Sequence, residues 1–224
     1  MRHTTFHTIL ASALLRVFVG CASAASTTFG NAAEGSLPSG WLAQITGAGS
    51  PKWSVERDDS APDTRLVLKQ SAWTPGPSFP LCVRLDVSLK DGFVEVKFKP
   101  LSGTNDQAGG LVWRYHNPSN YYVIRANALE DNVVAYKVEH GKRQALDIVG
   151  RVGGYGVKEK VPAGQWNTLR VQFEGPRFRA FLNGKELFAV QDATFPEAGT
   201  VGLWTKADSV ILFDDFSYGP DQPK

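Results

Sequence analysis

The sequence has few of the residues that cross-link a fold or bind a transition metal. Of its 224 residues, two are cysteine and four are histidine. Cys21 lies in a predicted leader, so Cys82 is left alone and no internal disulfide can form. We expect Cys82, in the apolar stretch 80–83, to be a small buried hydrophobic residue. With two histidines outside the leader and no paired cysteines, the sequence predicts no zinc site.

An excess of charge of one sign is also missing. The chain has 24 Lys and Arg against 22 Asp and Glu. Arg2 and Arg16 lie in the predicted leader, and without them the basic and acidic residues are equal in number. A neutral domain does not attract a polyanion over long range. We therefore expect neither nucleic acid nor an anionic membrane surface as the main partner.

Long hydrophobic runs are absent as well, except for a short one at the N-terminus. The apolar run over 9–20 is interrupted by Arg16 and is too short for a membrane-spanning helix. A basic start, this run and the small residues up to Ala25 together predict a signal peptide over 1–25. The expected location is periplasmic or extracellular, without membrane insertion. The alternative is a lipid anchor at Cys21.

Short alternating runs fill the rest of the chain, and no stretch shows a helical period. Predicted strands lie near 52–57, 65–70, 80–88, 92–99, 109–116, 121–127, 132–139, 144–150, 166–174, 177–183, 186–191, 199–205 and 209–217. Asn183-Gly184 is the strongest hairpin signal between them. This pattern predicts an all-β two-sheet sandwich or barrel over 37–219, after a flexible lead-in over 26–36.

The segment from Gly109 to Asn127 carries the most informative pattern. Two alternating runs flank a turn over 116–120, as in adjacent antiparallel strands. Side chains alternate along a strand, so the apolar set predicts the inward face: Leu111, Trp113, Tyr115, Tyr122, Ile124 and Ala126. The polar residues would then share the opposite face: Arg114, His116, Tyr121, Arg125 and Asn127. By the same reasoning, Val134, Tyr136 and Val138 point inward, and Lys137 and Glu95 point outward to join the polar face.

Three blocks of sequence resemble a bacterial family of exported concanavalin-like jelly rolls in the laminin-G-like superfamily. The family is catalogued as 3-keto-disaccharide hydrolase-like and loosely as family 16 glycoside hydrolase-like. The blocks are GGLVWRYHNPSNYYVIRANALEDNVVAYKVEHGKR, GQWNTLRVQFEGPRFRAFLNGKEL and TFPEAGTVGLWTKADSVILFDDF. The resemblance covers roughly 37–218. It implies a two-sheet antiparallel jelly-roll sandwich with an oligosaccharide or glycoside bound on the concave sheet.

One motif of the resembled glycosidases is missing. Family 16 enzymes carry a Glu-x-Asp-x-x-Glu strand that supplies two carboxylates on one face. The nearest candidates here, Glu56-Arg57-Asp58 and Glu130-Asp131, do not have that spacing. A 3-keto sugar could instead be cleaved by elimination, which needs a general base and cations beside an enolate. The resemblance thus leaves three alternatives: a 3-keto-glycoside-cleaving hydrolase or lyase, a non-catalytic carbohydrate-binding module, and a laminin-G-like interaction domain.

Candidate site residues follow from these alternatives. His116 and Glu130 are the predicted catalytic base or acid. The predicted substrate-binding residues are Arg114, Tyr121, Arg125, Asn127, Lys137, Glu95 and Trp73, the last because it lies in a Pro/Gly loop where it can stack on a sugar. No catalytic metal or cofactor is expected. Structural calcium at Asp214 or Asp215 is implied by the resemblance alone. The glycine-rich stretch 153–156 has no helix behind it and predicts a flexible rim loop rather than a phosphate site.

Overall fold

The computed structural model describes residues 24–151 and 153–221. Within these ranges there is no helix, and so none that could cross a membrane. The predicted signal peptide, apart from Ala24 and Ala25, lies outside the described residues, and so does Cys21. The predicted all-β class is confirmed.

The described residues form two antiparallel sheets packed face to face. In chain order the strands are β1 (Ala25–Thr27), β2 (Trp41–Thr46), β3 (Trp53–Arg57), β4 (Leu66–Gln70), β5 (Phe79–Arg84), β6 (Gly92–Ser102), β7 (Ala108–Asn117), β8 (Asn120–Asn127), β9 (Asn132–Glu139), β10 (Lys142–Ala145), β11 (Val157–Lys158), β12 (Asn167–Glu174), β13 (Arg177–Leu182), β14 (Lys185–Gln191), β15 (Thr200–Thr205) and β16 (Val210–Gly219). The first sheet has the order β14-β13-β12-β6-β16-β4-β3, with β1 beside β16; the second has the order β10-β9-β8-β7-β15-β5-β2, with β11 beside β9. This is the predicted two-sheet jelly-roll sandwich.

Alternating residues of both sheets build the core between them. Trp113 of β7 stacks on Tyr122 of β8 at 5.5 Å and on Phe173 of β12 at 6.1 Å between ring centroids. Phe178 of β13 meets the Trp113 ring edge-on at 5.2 Å. Such aromatic pairs add to the stabilisation that burial of their area provides. The core therefore joins the two sheets across β7, β8, β12 and β13.

The two sheets differ on their outer faces. Strand β12 alternates strictly between buried and partly exposed residues, as expected when one face of a sheet meets solvent. Strand β8 is buried at every position after Asn120. Its outward residues Tyr121 and Val123 belong to a second apolar cluster. The members of this outer cluster are Phe79, Leu81, Val83, Ala108, Val112, Tyr115, Tyr121, Val123, Val134, Tyr136, Val138 and Trp204. The outer face of the second sheet is therefore not a plain solvated surface.

Most predicted strands are present within a few residues of their predicted ends. The Asn183-Gly184 hairpin is confirmed, since both residues have the positive φ of a type I′ turn, 50° and 81°. The strand expected over 144–150 is wrong: β10 ends at Ala145, and Ile148 bridges to Val190 of the first sheet. Cys82 is fully buried, as predicted, and burial raises the pKa of its thiol.

The flexible lead-in predicted over 26–36 does not agree with the structure. Residues 25–27 form β1 and pair with β16, with Ala25 opposite Tyr218. Phe29 is 1% exposed and lies against the Trp41 ring at 5.9 Å between centroids. A buried aromatic ring anchors this segment although its neighbours are small and polar. The domain therefore begins before residue 37.

Candidate functional site

The second sheet is strongly curved, with its outer face concave. The hydroxyl groups of Tyr121 on β8 and Thr46 on β2 share a hydrogen bond of 2.8 Å. Four inter-strand steps separate these strands, which is roughly 19 Å along a flat sheet at ~4.8 Å per step. No tyrosine side chain spans that distance. The sheet must curl until its outer face surrounds a groove, which the buried side chains of the outer cluster fill.

A second contact crosses the same groove. Arg143 on β10 places its guanidinium carbon 4.7 Å from the ring centroid of Phe79 on β5 and 4.4 Å from that of Tyr136 on β9. Both distances are within the range of favourable cation–π contact. Among the described residues no carboxylate lies within salt-bridge distance of Arg143, and its buried Nη1 has no hydrogen-bond partner. Arg143 thus brings positive charge into the groove.

A set of polar side chains, the Arg125 cluster, lies on this face beside the outer cluster. Its members are Arg125, Glu130, Asn132, Tyr136 and Tyr155. The Arg125 side chain is 1% exposed and donates from Nη1 to Asn132 Oδ1. Its Nη2 donates to Glu130 Oε2 at 2.8 Å and to the Tyr155 hydroxyl at 3.0 Å. One buried cation therefore holds two oxygen atoms that can accept a proton.

Backbone geometry explains how the cluster is assembled. Arg125 faces outward on β8 by strand alternation, as predicted, and Asn132 begins β9 directly across the hairpin, opposite Asn127. Tyr155 belongs to the loop 146–156, whose last residue, Gly156, has φ 57° and lies so close to Val133 that a Cβ would collide with its carbonyl oxygen. The glycine lets the loop approach β9 and lay Tyr155 over Arg125.

The charges in the cluster shift the ionisation of Glu130 and Tyr155 in one direction. Burial alone would raise the pKa of Glu130, but the charge and hydrogen bond of Arg125 outweigh burial and lower it. Burial would likewise raise the pKa of Tyr155. The hydrogen bond with Tyr136 and the guanidinium groups of Arg125 and Arg143 outweigh burial and lower the Tyr155 pKa below its usual value. Both groups are therefore held toward their anionic forms.

A hydrogen-bonded chain next to the cluster fixes the neighbouring loops. Asn127 Nδ2 donates to Asp106 Oδ1 at 2.9 Å, and Lys206 Nζ lies 2.6 Å from the other oxygen of Asp106. The Asn127 side-chain oxygen accepts backbone N–H groups of Gln107 and Leu129. Asn127 is fully buried, so the prediction that it contacts substrate is replaced by a role in holding two loops.

The two predicted catalytic residues do not lie together. His116 stands beside the start of β8, because Asn117 pairs with Asn120, and Glu130 follows the end of β8. Eight residues at roughly 3.3 Å each put them about 25 Å apart along the strand. His116 is exposed and contacts the Phe195 ring at 5.9 Å. Glu130 joins the Arg125 cluster, and His116 does not.

Arg114 does not face the groove, because a β-bulge interrupts the alternation on β7. Thr200 of β15 pairs with Tyr115, but Gly202 pairs with Val112, so β7 carries one extra residue in this interval. Arg114 itself has φ 45°. A bulge of this kind reverses the faces of the residues that follow it. Tyr115 consequently packs in the outer cluster instead of the core, contrary to the prediction.

The Arg114 side chain instead closes one end of the sandwich. It is 1% exposed, and its guanidinium carbon lies 5.5 Å from the Phe178 ring centroid. It donates to the carbonyl oxygens of Lys90, Phe195 and Gly175 at 2.9, 3.0 and 2.6 Å, and to Asp91 Oδ1 at 3.2 Å. These partners give Arg114 a structural role.

The faces predicted for Tyr121 and Lys137 have different outcomes. Tyr121 is on the face of β8 opposite to that of Tyr122, as predicted. It is fully buried in the outer cluster, however, and offers no surface to a sugar. On β9 the predicted parity is wrong: Lys137 pairs with Tyr122 and points to the core side, where its Nζ lies 3.2 Å from Asp192. The outward residues of β9 are Val134, Tyr136 and Val138. Apolar residues on both faces of β9 made its parity ambiguous.

Glu95 belongs to the first sheet, so it cannot join the Arg125 cluster. It lies on the outer face beside Arg170, with 3.4 Å between Oε2 and Nη1. Two open surface cavities of about 480 and 530 Å³ lie on this face. Among the described residues, two of the three arginines that line them are paired, Arg170 with Glu95 and Asp221 and Arg179 with Glu186, and Arg177 is not.

Trp73 is 70% exposed, in agreement with its predicted loop position. The loop is held by Thr74, whose N–H and hydroxyl both donate to the Ala207 carbonyl oxygen at 3.1 and 3.0 Å. Ala207 adjoins Lys206, which contacts Asp106. Trp73 therefore stands on loops at the same end of the second sheet as the Arg125 cluster.

Sequence reasoning missed Tyr136, Tyr155, Asn132 and Arg143. Tyr155 had one local signal, an aromatic residue among three glycines of the stretch 153–156. Nothing local placed that stretch over Arg125.

Asp214 and Asp215, the predicted calcium ligands, lie in the first sheet, where Asp215 contacts Lys97 at 2.5 Å. The described residues contain no group of three or more His, Cys, Asp or Glu side chains placed to bind a metal ion. Calcium stays a prediction.

Comparison with known proteins agrees with this architecture. The family model described as 3-keto-alpha-glucoside-1,2-lyase-like domain matches residues 29–217. No curated protein sequence matches the chain.

Solved structures share the sandwich at low sequence identity. The carbohydrate-binding module CBM66 from Bacillus subtilis is 20% identical, with a TM-score of 0.59 over 80% of this chain and 96% of its own. The cellulose induced protein Cip1 is 13% identical, with a TM-score of 0.63 over 87% of this chain and 96% of its own. A β-1,3-1,4-glucanase (lichenase) from a mouse hindgut metagenome is 11% identical, with a TM-score of 0.53 over 88% and 99%. At these identities the similarity shows a common fold.

Proposed function

The chain belongs to the 3-keto-alpha-glucoside-1,2-lyase-like domain family, and from this premise we propose that it cleaves 3-keto-α-glucosides by elimination at the Arg125 cluster. The observation that carries the proposal is the contact set of Arg125 Nη2, which lies 2.8 Å from the Glu130 carboxylate and 3.0 Å from the Tyr155 hydroxyl. A cation and two proton acceptors thus meet on the concave face.

The chemistry of a 3-keto sugar matches these groups. The keto group acidifies the hydrogen on C2, so a base can remove it as a proton, and the electron pair moves into an enolate centred on O3. The enolate then re-forms the ketone, a double bond forms between C1 and C2, and the C1–O bond breaks. The departing oxygen takes up a proton, which gives an alcohol and a 2-hydroxy-3-keto-glucal. No oxidant or reductant is consumed.

Arg125 would stabilise the enolate oxygen. Its side chain is 1% exposed, so it would act as a nearby cation beneath Tyr155 and not by direct contact with the sugar. Charges placed near the atom where negative charge develops accelerate a reaction because they stabilise the transition state more than the substrate. The Arg125 cluster lies beside the apolar outer cluster, which strengthens such electrostatic interactions.

A single carboxylate in the cluster also bears on the mechanism. Glu130 has no second carboxylate beside it in the Arg125 cluster, whereas ordinary glycosidases use a pair. An elimination needs only one base. The same feature favours a second candidate function, glycan binding without cleavage, for which the similarity to a carbohydrate-binding module is a further support.

We also propose that the protein is exported, on the strength of its N-terminal sequence.

The test is product release from a panel of 3-keto-disaccharides and their unoxidised parents. The wild type should release product from the keto compounds alone. Arg125→Gln should lower kcat on the order of 10²–10³-fold, as expected when the electrostatic stabilisation of an oxyanion is lost. Arg170→Gln and Glu95→Gln are matched controls, because that Arg–Glu pair lies on the other sheet, and both should keep full activity. Saturable binding of the panel without any product would replace cleavage by glycan binding.

A further inference from the structure

Two oxygen atoms accept hydrogen bonds from Arg125 Nη2, one of Glu130 and one of Tyr155. Family membership does not say which of them removes the proton. We propose that Tyr155, as a phenolate, is the general base that takes the C2 proton of the substrate, while Glu130 remains a bound counter-charge to Arg125. This inference rests on the proposed elimination and names the residue that starts it.

The geometry around the Tyr155 oxygen is that of a stabilised anion. The oxygen accepts a hydrogen bond from Arg125 Nη2 at 3.0 Å and is hydrogen bonded to the Tyr136 hydroxyl. Tyr136 is buried, with a pKa that burial raises, so Tyr136 keeps its proton and donates it. Two donors converge on one phenol oxygen, and hydrogen bonds to the charged form favour that form.

Accessibility separates Tyr155 from Arg125, Asn132 and Tyr136, and leaves Glu130, whose side chain is 39% exposed, as the other accessible proton acceptor. The Tyr155 side chain is half exposed, whereas Arg125 and Asn132 are 1% and 4% exposed. The loop 146–156 lays the ring against the Arg125 guanidinium carbon, 5.7 Å from the ring centroid. A sugar on the concave face can therefore reach the phenol oxygen while the arginine beneath it stays in place.

Glu130 is the less suitable base. Its Oε2 accepts two hydrogen bonds, from Arg125 and from Asn132 Nδ2, each of 2.8 Å. These donors lower the pKa of Glu130 further below that of an ordinary carboxylic acid. A carboxylate with a lowered pKa is a weak acceptor for a proton on carbon, whereas a general base works best with a pKa near the working pH.

The charged groups that face Tyr155 come from several elements. Arg125 on β8 and Arg143 on β10 are cationic and lower the Tyr155 pKa. Tyr136 on β9 donates a hydrogen bond, and Glu130 in the β8–β9 loop shares Arg125 Nη2 with Tyr155. The two guanidinium groups together outweigh the one carboxylate. As the phenolate takes the C2 proton it becomes a neutral phenol, and the electron pair of the C2–H bond passes to the enolate beside Arg125.

The first arm of the test needs no substrate. Ultraviolet difference absorbance, followed as pH is raised, reports each tyrosine as it ionises. Four of the six tyrosines, Tyr115, Tyr121, Tyr122 and Tyr136, have pKa values raised by burial, that of Tyr115 to about 12. We expect an early step of one tyrosine that disappears in Tyr155→Phe and persists in Tyr218→Phe. An early step that survives in Tyr155→Phe would overturn the assignment.

The second arm follows turnover of the 3-keto-disaccharides. Tyr155→Phe should lower kcat on the order of 10²–10⁴-fold with little change in KM, as expected for the loss of a general base. The wild-type kcat/KM should rise with pH through the same apparent pKa as the early absorbance step. Glu130→Gln should keep that pH dependence with its apparent pKa displaced. Full activity of Tyr155→Phe alongside an active wild type would refute Tyr155 and leave the proposed function intact, whereas an inactive wild type would refute the function itself.

Discussion

Two buried arginines, Arg114 and Arg125, show how partners decide the role of a residue. Each is 1% exposed. Arg114 donates to three backbone carbonyl oxygens and one aspartate, so that each of its three nitrogen atoms has a partner. Arg125 contacts side chains, and in the part of the chain that the structure describes its Nε has no hydrogen-bond partner. Burial alone does not separate the two, but the chemistry of their partners does.

Asp214 provides a test at the residue scale. It is fully buried, and Oδ2 has no hydrogen-bond partner within the described ranges. Burial, with the nearby charges of Asp215 and Asp63, raises its pKa from 3.8 to about 6. The folded state therefore binds this proton more tightly than the unfolded state does, and the stability it contributes is lost as pH rises through about 6.

Asp214→Asn should consequently stabilise the protein at pH 8 by about 1–3 kcal/mol, because the amide keeps the acceptor for the Asp215 N–H and removes the buried charge. The gain should vanish as pH falls below the unfolded-state pKa of 3.8. Thermal unfolding across pH measures it, with Asp86→Asn, which loses an exposed ion pair with Arg84 on the other sheet, as the control that gains nothing. A calcium-dependent rise in the wild-type Tm that Asp214→Asn abolishes would instead support the calcium prediction.

At the scale of elements, one bulge on β7 reverses the faces that alternation predicts for the residues after Trp113. Strand β7 follows its predicted alternation through Trp113, and the extra residue opposite β15 then turns Arg114 to the core side and Tyr115 to the groove. Gly199 makes the bulge feasible, since a Cβ there would lie 2.6 Å from the Arg114 carbonyl carbon. Local alternation cannot reveal such an insertion, because it depends on the partner strand.

A second prediction at this scale concerns the stability that Phe29 of the N-terminal segment contributes. Phe29 is buried among core aromatics although its local sequence has no periodic pattern. Phe29→Ala should lower the free energy of unfolding by about 3–5 kcal/mol, as for other buried phenylalanines. Denaturant titration measures the change. Phe181→Ala, on the partly exposed outer face of the first sheet, is the matched control and should cost much less. Equal losses would mean that the segment does not belong to the core.

At the scale of the whole molecule, the two outer faces have divided roles. The first sheet presents alternating polar residues, several of them in Arg–Glu and Arg–Asp pairs. The second sheet curls around an apolar cluster and places the Arg125 cluster beside it. Loops from several strands gather at this end, including the one that carries Trp73. Curvature thus concentrates charge and aromatic surface in one place.

Trp73→Ala tests this division. If the exposed indole stacks on a bound sugar, its loss should weaken glycan affinity roughly two- to tenfold, from about 0.5–1.5 kcal/mol of ring contact. Leu85→Ala is a matched control, because Leu85 is also strongly exposed but follows the opposite end of β5. Isothermal titration calorimetry measures both, and neither Tm should change. A lower Tm in Trp73→Ala would mean that the ring packs on the protein.

The sequence by itself determined the all-β class, most strand positions, the Asn183-Gly184 hairpin and the outward position of Arg125. These features depend on side-chain alternation and turn chemistry, which act over a few residues. The tertiary structure decided the rest: the bulge at Arg114, the faces of β9, the separation of His116 from Glu130, and the approach of Tyr155 to Arg125. Each of these depends on which strands pair and how far a sheet curls, and those contacts join residues far apart in the chain.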